Sequence, residues 1–330
     1  MDLKVRAVLH SSANANSPSP QSALPVGFKS PLKNPRPIAG GFVKVQAHAK
    51  INLHLDVLDK LPNGYHNIVS VMQSVALHDD LFITAGGNES SNPKISITCD
   101  NPRLPRGENN LVHKAAKLLI NEYGINQHIN IKLNKRIPVG AGLAGGSADC
   151  AAALRGINRL FGLGIPMRRL MELGASLGAD VPFCLVGGTA LAEGIGERIK
   201  SLPPHPHCYI VIVCPGKHVS TPDTYRRLDM LKSSEPGQYK RDAAQIINAV
   251  SAKNLPEIAK NFYNVFTPVT VETHPVIFEI LSEFVNTATL GASMSGTGSA
   301  VYAYFDNEKN AKEACDKFKD KFQVFLTTPS

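Results

Sequence analysis

Residues 138–147 contain four glycines and a serine, between a strand-like stretch and an alanine-rich stretch typical of a helix. Glycine lacks a Cβ atom and tolerates positive φ, so such a segment lets the backbone approach a ligand closely. The helix that we predict over 148–161 would direct its free N–H groups and the positive end of its dipole at the same ligand. Together these features favour a phosphate-binding loop.

Two common phosphate loops fit this stretch poorly. Gly140, Gly142 and Gly145 match the dinucleotide fingerprint. That motif needs a strand running directly into the first glycine and a second strand ending in an acidic residue about 20 residues later. Residues 135–138 (KRIP) interrupt the approach, residues 164–177 have helical character, and no Gly-Lys-Ser/Thr follows as in a Walker loop. The remaining alternatives are a phosphate loop of neither type and a glycine-rich turn without a ligand.

The overall composition describes a globular chain. A length of 330 residues predicts two domains, and a hydrophobic content of 43% is sufficient for packed cores. No apolar run reaches the 18 or so residues that span a bilayer, so we expect no membrane partner. The six cysteines form no Cys-x-x-Cys pair, which favours reduced thiols over a zinc site.

The net charge of +8 is unevenly distributed. Residues 1–42 hold five basic residues against one aspartate, which accounts for +4. The rest is mildly basic without basic runs among aromatics, so we expect no nucleic-acid partner. Six serines and six prolines predict that residues 1–42 are a disordered leader. It is either an inert extension of a cytoplasmic protein or a transit peptide, which would place the protein in the plastid stroma.

Residues 43–57 alternate between apolar and polar side chains, which predicts one long strand with two different faces. The polar face carries His48, Lys50 and Asn52 next to small residues. It faces either solvent or a cleft. Downstream, Asn63 and Gly64 form a turn signal, followed by a Tyr65–His66 pair that more often serves structure than function.

Asp180 precedes Val181 and Pro182 in a pattern typical of a helix start. The structural interpretation is an N-cap aspartate with proline in the first turn. An N-cap aspartate at a cleft is also held rigidly, so this interpretation does not exclude catalysis.

The proline- and histidine-rich residues 202–207 mark a domain boundary, and helices alternate with strands after it. We therefore predict a leader over 1–42, a first domain over 43–202 and a second over 203–330. A mixed α+β packing suits this order of elements.

Three motifs together resemble those of the GHMP small-molecule kinases, namely residues 49–53 (AKINL), 138–147 (PVGAGLAGGS) and 294–298 (MSGTG). Residues 50–52 (KIN), 63–66 (NGYH) and 177–182 (LGADVP) add a resemblance to the 4-diphosphocytidyl-2-C-methyl-D-erythritol kinase family of the non-mevalonate isoprenoid pathway. The resemblance extends from about Val43 to the end of the chain.

The resemblance implies a two-domain α+β fold. Its N-terminal domain would be like ribosomal protein S5 domain 2, its C-terminal domain would be ferredoxin-like, and the site would lie between them. The implied activity is ATP-dependent phosphorylation of the 2-hydroxyl of the cytidine diphosphate-linked methylerythritol. The alternatives are another GHMP kinase acting on homoserine, mevalonate or a sugar, and a catalytically silent nucleotide-binding protein. The oligomeric state stays open.

The resemblance also implies roles for individual residues. Asp180 would accept the proton of the hydroxyl, and Lys50 would stabilise charge on the transferred group. Tyr65 and His66 would bind the cytidine, and Asn52 and Thr221 would bind the polar tail of the substrate. Mg²⁺ would bridge the ATP phosphates, with no protein ligand assigned. The residues implied to wrap the ATP phosphates are Pro138, Val139, Gly140, Ala141, Gly142, Leu143, Ala144, Gly145, Gly146, Ser147 and Ala148.

Two features depart from the pattern we associate with the family. Ala141 and Ala144 stand where glycines often occur, which predicts that neither position needs a positive φ. Asp149 stands where an amide is common. We expect its charge to favour the helix dipole but to repel phosphate unless Mg²⁺ lies between them.

Overall fold

The computed structural model describes residues 35–330 except 88, 91, 235, 236, 238 and 240. Most of the predicted leader therefore lies outside the described residues. At its described end, the backbone N–H of Ile38 donates to the carbonyl of Leu160 (2.7 Å). Regular structure begins with Phe42, one residue before the predicted domain start.

The described part of the chain alternates strands and helices. The strands are β1 (Phe42–Lys60), β2 (His66–Gly86), β3 (Ile95–Cys99), β4 (His128–Asn134), β5 (Thr189–Gly194), β6 (Arg198–Ser201), β7 (Tyr209–Cys214), β8 (Tyr263–Asn264), β9 (Gly291–Met294), β10 (Val301–Phe305) and β11 (Gln323–Thr327). The helices are α1 (Leu111–Tyr123), α2 (Gly145–Leu160), α3 (Met167–Leu177), α4 (Val181–Val186), α5 (Thr221–Ser234), α6 (Ala244–Ser251), α7 (Leu255–Lys260), α8 (Thr267–Thr273), α9 (Val276–Val285) and α10 (Glu308–Phe318).

The strands form two sheets. The first has the order β3-β4-β2-β1-β8, with β5 paired to β2 and β6 paired to β5. Its centre is the long antiparallel pair β1–β2, which changes register after His48, Asn52 and Val57. The second sheet has the order β11-β7-β10-β9 and is antiparallel throughout. Strand β8 lies in the second predicted domain yet pairs with β1, and the boundary at residue 202 stays a prediction.

Helix α2 lies very close to the first sheet because its contact face is made of small residues. Ala148, Ala151 and Ala152 are buried, and a methyl group placed on Gly156 would lie 2.4 Å from Cδ1 of Ile83. The helices α1, α3 and α4 surround α2 and share its hydrophobic core. This packing fixes the direction of α2 and therefore the position of its N-terminus.

Strand β1 confirms the predicted alternation, but its polar face is not solvated along its whole length. Lys50, Asn52, His54 and Asp56 are all buried, like the apolar residues between them. Residues 49–57 of β1 are therefore covered on both faces. Among the described residues, no helix has both the length and the apolar character needed to cross a bilayer.

Candidate active site

A cavity of about 450 Å³ lies where β1, the residues 138–147 (the glycine loop) and the residues 294–299 (the second glycine turn) meet. Most of the glycine loop lines it, together with apolar residues of β1, β2 and α1 and with Phe266, which directly precedes α8. The polar and charged residues in its wall are Lys50, Asn52, Ser147, Asp180, His218, Thr221, Tyr225 and Thr297. Of the two alternatives for the polar face of β1, the cleft applies to Lys50 and Asn52. His48 instead bonds the carbonyl of Val75 (3.0 Å).

The glycine loop turns through left-handed backbone conformations at three positions. Gly140 and Gly142 have φ of 70° and 80°. Ala144 also has a positive φ (55°), directly before α2. The expectation that Ala141 and Ala144 need no positive φ is therefore wrong for Ala144. The chain has to reverse there to start the helix, and alanine adopts this conformation at an energetic cost that glycine would avoid.

Helix α2 begins at Gly145, three residues earlier than predicted, so the end of the glycine loop is the first helical turn. The first helical hydrogen bond runs from the N–H of Ala148 to the carbonyl of Ala144 (2.9 Å). The preceding N–H groups, those of Gly145, Gly146 and Ser147, lie at the N-terminus of the helix, and these three residues line the cavity. Ala148 is buried outside the cavity lining, and Val139 lines a neighbouring cavity of about 180 Å³.

The glycine loop and the second glycine turn pack directly against each other. A methyl group on Gly142 would lie 2.2 Å from the carbonyl oxygen of Ser295, which no side chain tolerates. The Ser295 hydroxyl donates to the Gly142 carbonyl (2.9 Å), and the Ala300 N–H donates to the Ala141 carbonyl (3.0 Å). The missing Cβ of Gly142 therefore allows contact between two loops, in addition to any approach to a ligand.

Lys50 and Asn52 are held by a buried hydrogen-bond network. The Lys50 ammonium donates to Oδ1 of Asn52 (2.6 Å), which also accepts the N–H of Gly296 (2.9 Å). Nδ2 of Asn52 donates to the Ser70 hydroxyl (2.9 Å), and the Tyr302 hydroxyl donates to the Asn52 carbonyl (2.8 Å). Both polar atoms of the Asn52 side chain are thus engaged by the protein, and one of them orients Lys50.

Asp180 occupies the N-cap position of α4, with Pro182 in the first turn, as the structural interpretation predicted. Its side chain nevertheless makes no capping hydrogen bond. Oδ2 of Asp180 lies 3.9 Å from Nζ of Lys50, and the carboxylate is about one third exposed (34%) to the cavity. The helix start therefore positions a carboxylate whose oxygens stay available to a ligand.

Comparison of the sequence with known proteins identifies its family. The family model for the GHMP kinases N terminal domain matches residues 110–188, and the model for the GHMP kinases C terminal matches residues 246–324. The 4-diphosphocytidyl-2-C-methyl-D-erythritol kinase of Acetivibrio thermocellus is 42% identical over 287 residues, which are 86% of this chain and 98% of that protein. The chain belongs to the GHMP kinase family.

Solved structures extend the likeness to the fold. A crystal structure of 4-(cytidine 5'-diphospho)-2C-methyl-D-erythritol kinase has a TM-score of 0.73 and 30% identity, and the match covers 87% of this chain and 99% of that one. The homoserine kinase of Cytophaga hutchinsonii has a TM-score of 0.68 but 20% identity, over 92% of this chain and 97% of that one. The second likeness shows the fold alone. The family resemblance and the α+β fold expected from the three motifs are confirmed.

Two residues that the sequence assigned to substrate binding lie outside the lining of the main cavity of this GHMP kinase. Tyr65 is exposed, and His66 is buried with Nε2 2.8 Å from Oδ1 of Asp229 on α5. Lys60 also donates to Asp229 (2.9 Å). Burial raises the pKa of Asp229, but the hydrogen bonds from Lys60 and His66 outweigh this effect and lower it. His66 does not line the cavity itself, but its ring packs against Tyr225, which does (centroids 4.9 Å apart).

Sequence reasoning missed Tyr225 and His218 in this GHMP kinase. Thr221 is the first residue of α5 and lines the cavity. Tyr225 lies one turn later on the same side of the helix and lines it too. The i, i+4 spacing of Thr221 and Tyr225 was the signal available. His218 precedes α5 in the loop that packs over Gly140. Burial raises the pKa of Tyr225 to about 12, so this ring carries a neutral hydroxyl.

The structure gives Asp149 a partner that the sequence did not show. Its carboxyl group is buried and bonds the Lys135 ammonium (2.8 Å), so the structure gives it a protein cation as partner without Mg²⁺. Among the described residues, Asp180 is the one carboxylate in the wall of the main cavity. A single carboxylate fits a Mg²⁺ carried mainly by nucleotide phosphates and water, not one held in a cage of protein ligands.

Proposed function

We propose that this GHMP kinase transfers the γ-phosphoryl group of ATP to the 2-hydroxyl of 4-diphosphocytidyl-2-C-methyl-D-erythritol. The observation that carries the proposal is the convergence of Lys50 and Asp180 beside the N-terminus of α2. The names of relatives that match nearly their full length support the choice of acceptor.

The phosphates of ATP would bind over the first turn of α2. The N–H groups of Gly145, Gly146 and Ser147 and the positive end of the helix dipole suit a polyanion. The neighbouring cavity of about 180 Å³ shares Gly140, Gly145 and Gly146 with the main one. It would take the nucleoside part of ATP, which leaves the main cavity for the acceptor.

Asp180 would act as the general base. The hydroxyl proton of the acceptor passes to a carboxylate oxygen of Asp180, the hydroxyl oxygen bonds the γ-phosphorus, and ADP departs. Lys50, which Asn52 holds in place, stabilises the negative charge on the transferred group. Mg²⁺ bound to the phosphates would neutralise part of their charge.

The acceptor would extend towards α5. Tyr225 offers an aromatic face for the cytosine ring, and Thr221 offers a hydroxyl for the polar tail. His66 would hold Tyr225 in position through their ring contact, and exposed Tyr65 would need to move to reach the base. In this proposal Asn52 positions Lys50 more than it binds the acceptor.

The test is a coupled assay of ADP release with ATP and Mg²⁺, in which the cytidine diphosphate-linked methylerythritol is compared with mevalonate and homoserine. We expect kcat/KM to favour the cytidine compound by orders of magnitude. Asp180→Asn is the matched inactive control for background hydrolysis. Preference for mevalonate, homoserine or a sugar would identify another GHMP kinase. ATP binding without turnover of any acceptor would identify a silent nucleotide-binding protein.

A further inference from the structure

A buried ion network lies directly beneath the first turn of α2. Nζ of Lys135 bonds one oxygen of Asp79 and, at 2.8 Å, Oδ2 of Asp149. All three side chains are 5% exposed or less. A methyl group on Gly145 would lie 3.3 Å from Nζ of Lys135, so the network lies immediately behind the proposed phosphate site.

The two carboxyl groups share one ammonium but differ in their other partners. Oδ1 of Asp79 accepts the backbone N–H groups of Arg136 and Ile137, so both oxygens of Asp79 are satisfied. Oδ1 of Asp149 is buried and has no hydrogen-bond partner in the described part of the chain. Because an unpartnered buried carboxylate oxygen is costly, a proton shared by this network belongs on Asp149.

The remaining neighbours of Asp149 do not change this assignment. It shares the smaller cavity with the loop before α1 and with the start of that helix, and Lys135 is the one titratable group among them. The strand β2 presents Asp79, and the adjacent Asp80 bonds Lys44 (3.0 Å) on the other side of the strand. The uncharged neighbours are Leu104, Pro105, Asn109, Asn110 and Leu111.

We propose that Asp149 is an electrostatic positioning residue for nucleotide binding, and that its neutral form lets the phosphates bind over α2. The inference rests on the proposed function, because it requires phosphates at that helix N-terminus. With Asp149 protonated, the network of Asp79, Lys135 and Asp149 is neutral. With Asp149 ionised, the network carries one buried negative charge that repels the phosphates.

The direction of the pH dependence follows from the same geometry. Burial raises the pKa of Asp149 to about 8, and the Lys135 ammonium opposes this rise. Burial lowers the pKa of Lys135, but the two carboxyl groups together outweigh it and raise that pKa. Nucleotide affinity should therefore be highest where Asp149 is protonated and decrease with rising pH as Asp149 ionises.

The experiment is calorimetric titration of the full-length protein with ADP between pH 6.5 and 9.5, in buffers of different ionisation enthalpy. Above pH 8 we expect the Kd of the wild-type protein to rise by up to about tenfold per pH unit, with uptake of about one proton on binding. Asp149→Asn should bind ADP with a Kd that is independent of pH and close to the wild-type value at pH 6.5.

Asp320→Asn, which removes one exposed carboxylate after α10, is the matched control and should follow the wild-type curve. A wild-type Kd that does not change with pH, or a pH dependence retained by Asp149→Asn, would overturn the inference. The wild-type measurement decides the matter even if Asp149→Asn fails to fold. ADP binding needs no acceptor, so a failure of the proposed phosphorylation is seen separately, in the turnover assay.

Discussion

Lys50 and Lys135 are both buried lysines beside the glycine loop, but their surroundings are opposite. Lys135 is held between the carboxyl groups of Asp79 and Asp149. Lys50 bonds the neutral carboxamide of Asn52 at 2.6 Å, and its nearest carboxylate oxygen, on Asp180, is 3.9 Å away. The charge of the Lys135 ammonium is neutralised by buried carboxyl groups. The Lys50 ammonium is oriented by a neutral group, so its charge stays available to a ligand.

Under the proposed function, the same residue type would serve structure at Lys135 and chemistry at Lys50. A buried charge that is fully paired fixes backbone and helix, as Asp79 does for the N–H groups before the glycine loop. A charge that is to stabilise a transferring phosphoryl group must not be neutralised in advance. The partner of Lys50 is the neutral carboxamide of Asn52, which holds the ammonium in place without neutralising its charge.

The largest effect should come from Asp180→Asn, which removes the proposed general base beside Lys50. We expect kcat to fall by about 10²–10⁴-fold, because the amide cannot accept the hydroxyl proton. Calorimetric ADP binding should stay within a few-fold of the wild-type value. A near-normal kcat would remove Asp180 from the role of base.

Lys135→Met tests the structural lysine. Removing the cation leaves two buried carboxyl groups together, and breaking such a pair typically costs about 3–5 kcal/mol. Urea denaturation should show this loss in the free energy of unfolding. Lys50→Met is the matched control and should lose kcat with a much smaller loss of stability. Equal destabilisation by both substitutions would contradict the division of roles.

Asn52→Asp would make the surroundings of Lys50 resemble those of Lys135. The new carboxylate would pair with the ammonium and reduce its effect on the transferred group, so we expect kcat to fall by about 10- to 100-fold. Steady-state kinetics at saturating ATP is the measurement, and Asn52→Ser, which adds no charge, is the control. A wild-type kcat in Asn52→Asp would show that the neutrality of Asn52 is unimportant.

The most gradual effect concerns the pH dependence of stability, because it is spread over several pH units. Because the pKa of Asp149 is raised in the folded protein, the folded state binds more protons than the unfolded state between about pH 4 and pH 8. The free energy of unfolding should therefore decrease with rising pH in that window, by at most about 1.4 kcal/mol per unit from this group. Asp149→Asn should remove this part of the slope in denaturation curves. A slope identical to the wild type would contradict the raised pKa.

The elements predicted well from the sequence are those with a long periodic pattern. The alternation of β1 and the alanine-rich α2 were identified in this way, although α2 begins within the glycine loop. The two-residue β8 and the seven-residue α8 carry too little pattern to be recognised. The edge strand β11 was not predicted, because its five residues follow α10 closely and carry too little pattern of their own.

At the site, the residue types were predictable but several contacts were not. The motifs identified Lys50, Asp180 and the glycine loop. They did not show that Asn52 is engaged by Gly296 and Ser70, or that Tyr225 lies in the cavity wall. The contacts of Asn52 join residues that are far apart in the chain, and no local pattern encodes them. For Tyr225 the one local signal was its i, i+4 spacing from Thr221.

By itself, the sequence determined the family, the position of a glycine loop before a helix, and the lysine and aspartate offered to the cavity. These follow from local preferences of glycine, alanine and proline and from short motifs. Only the tertiary structure decided which lysine is neutralised and that Gly142 packs against Ser295. It also decided that Asp149 faces a protein cation. The reason is that pairing and burial depend on which distant segments the fold brings within a few ångströms of each other.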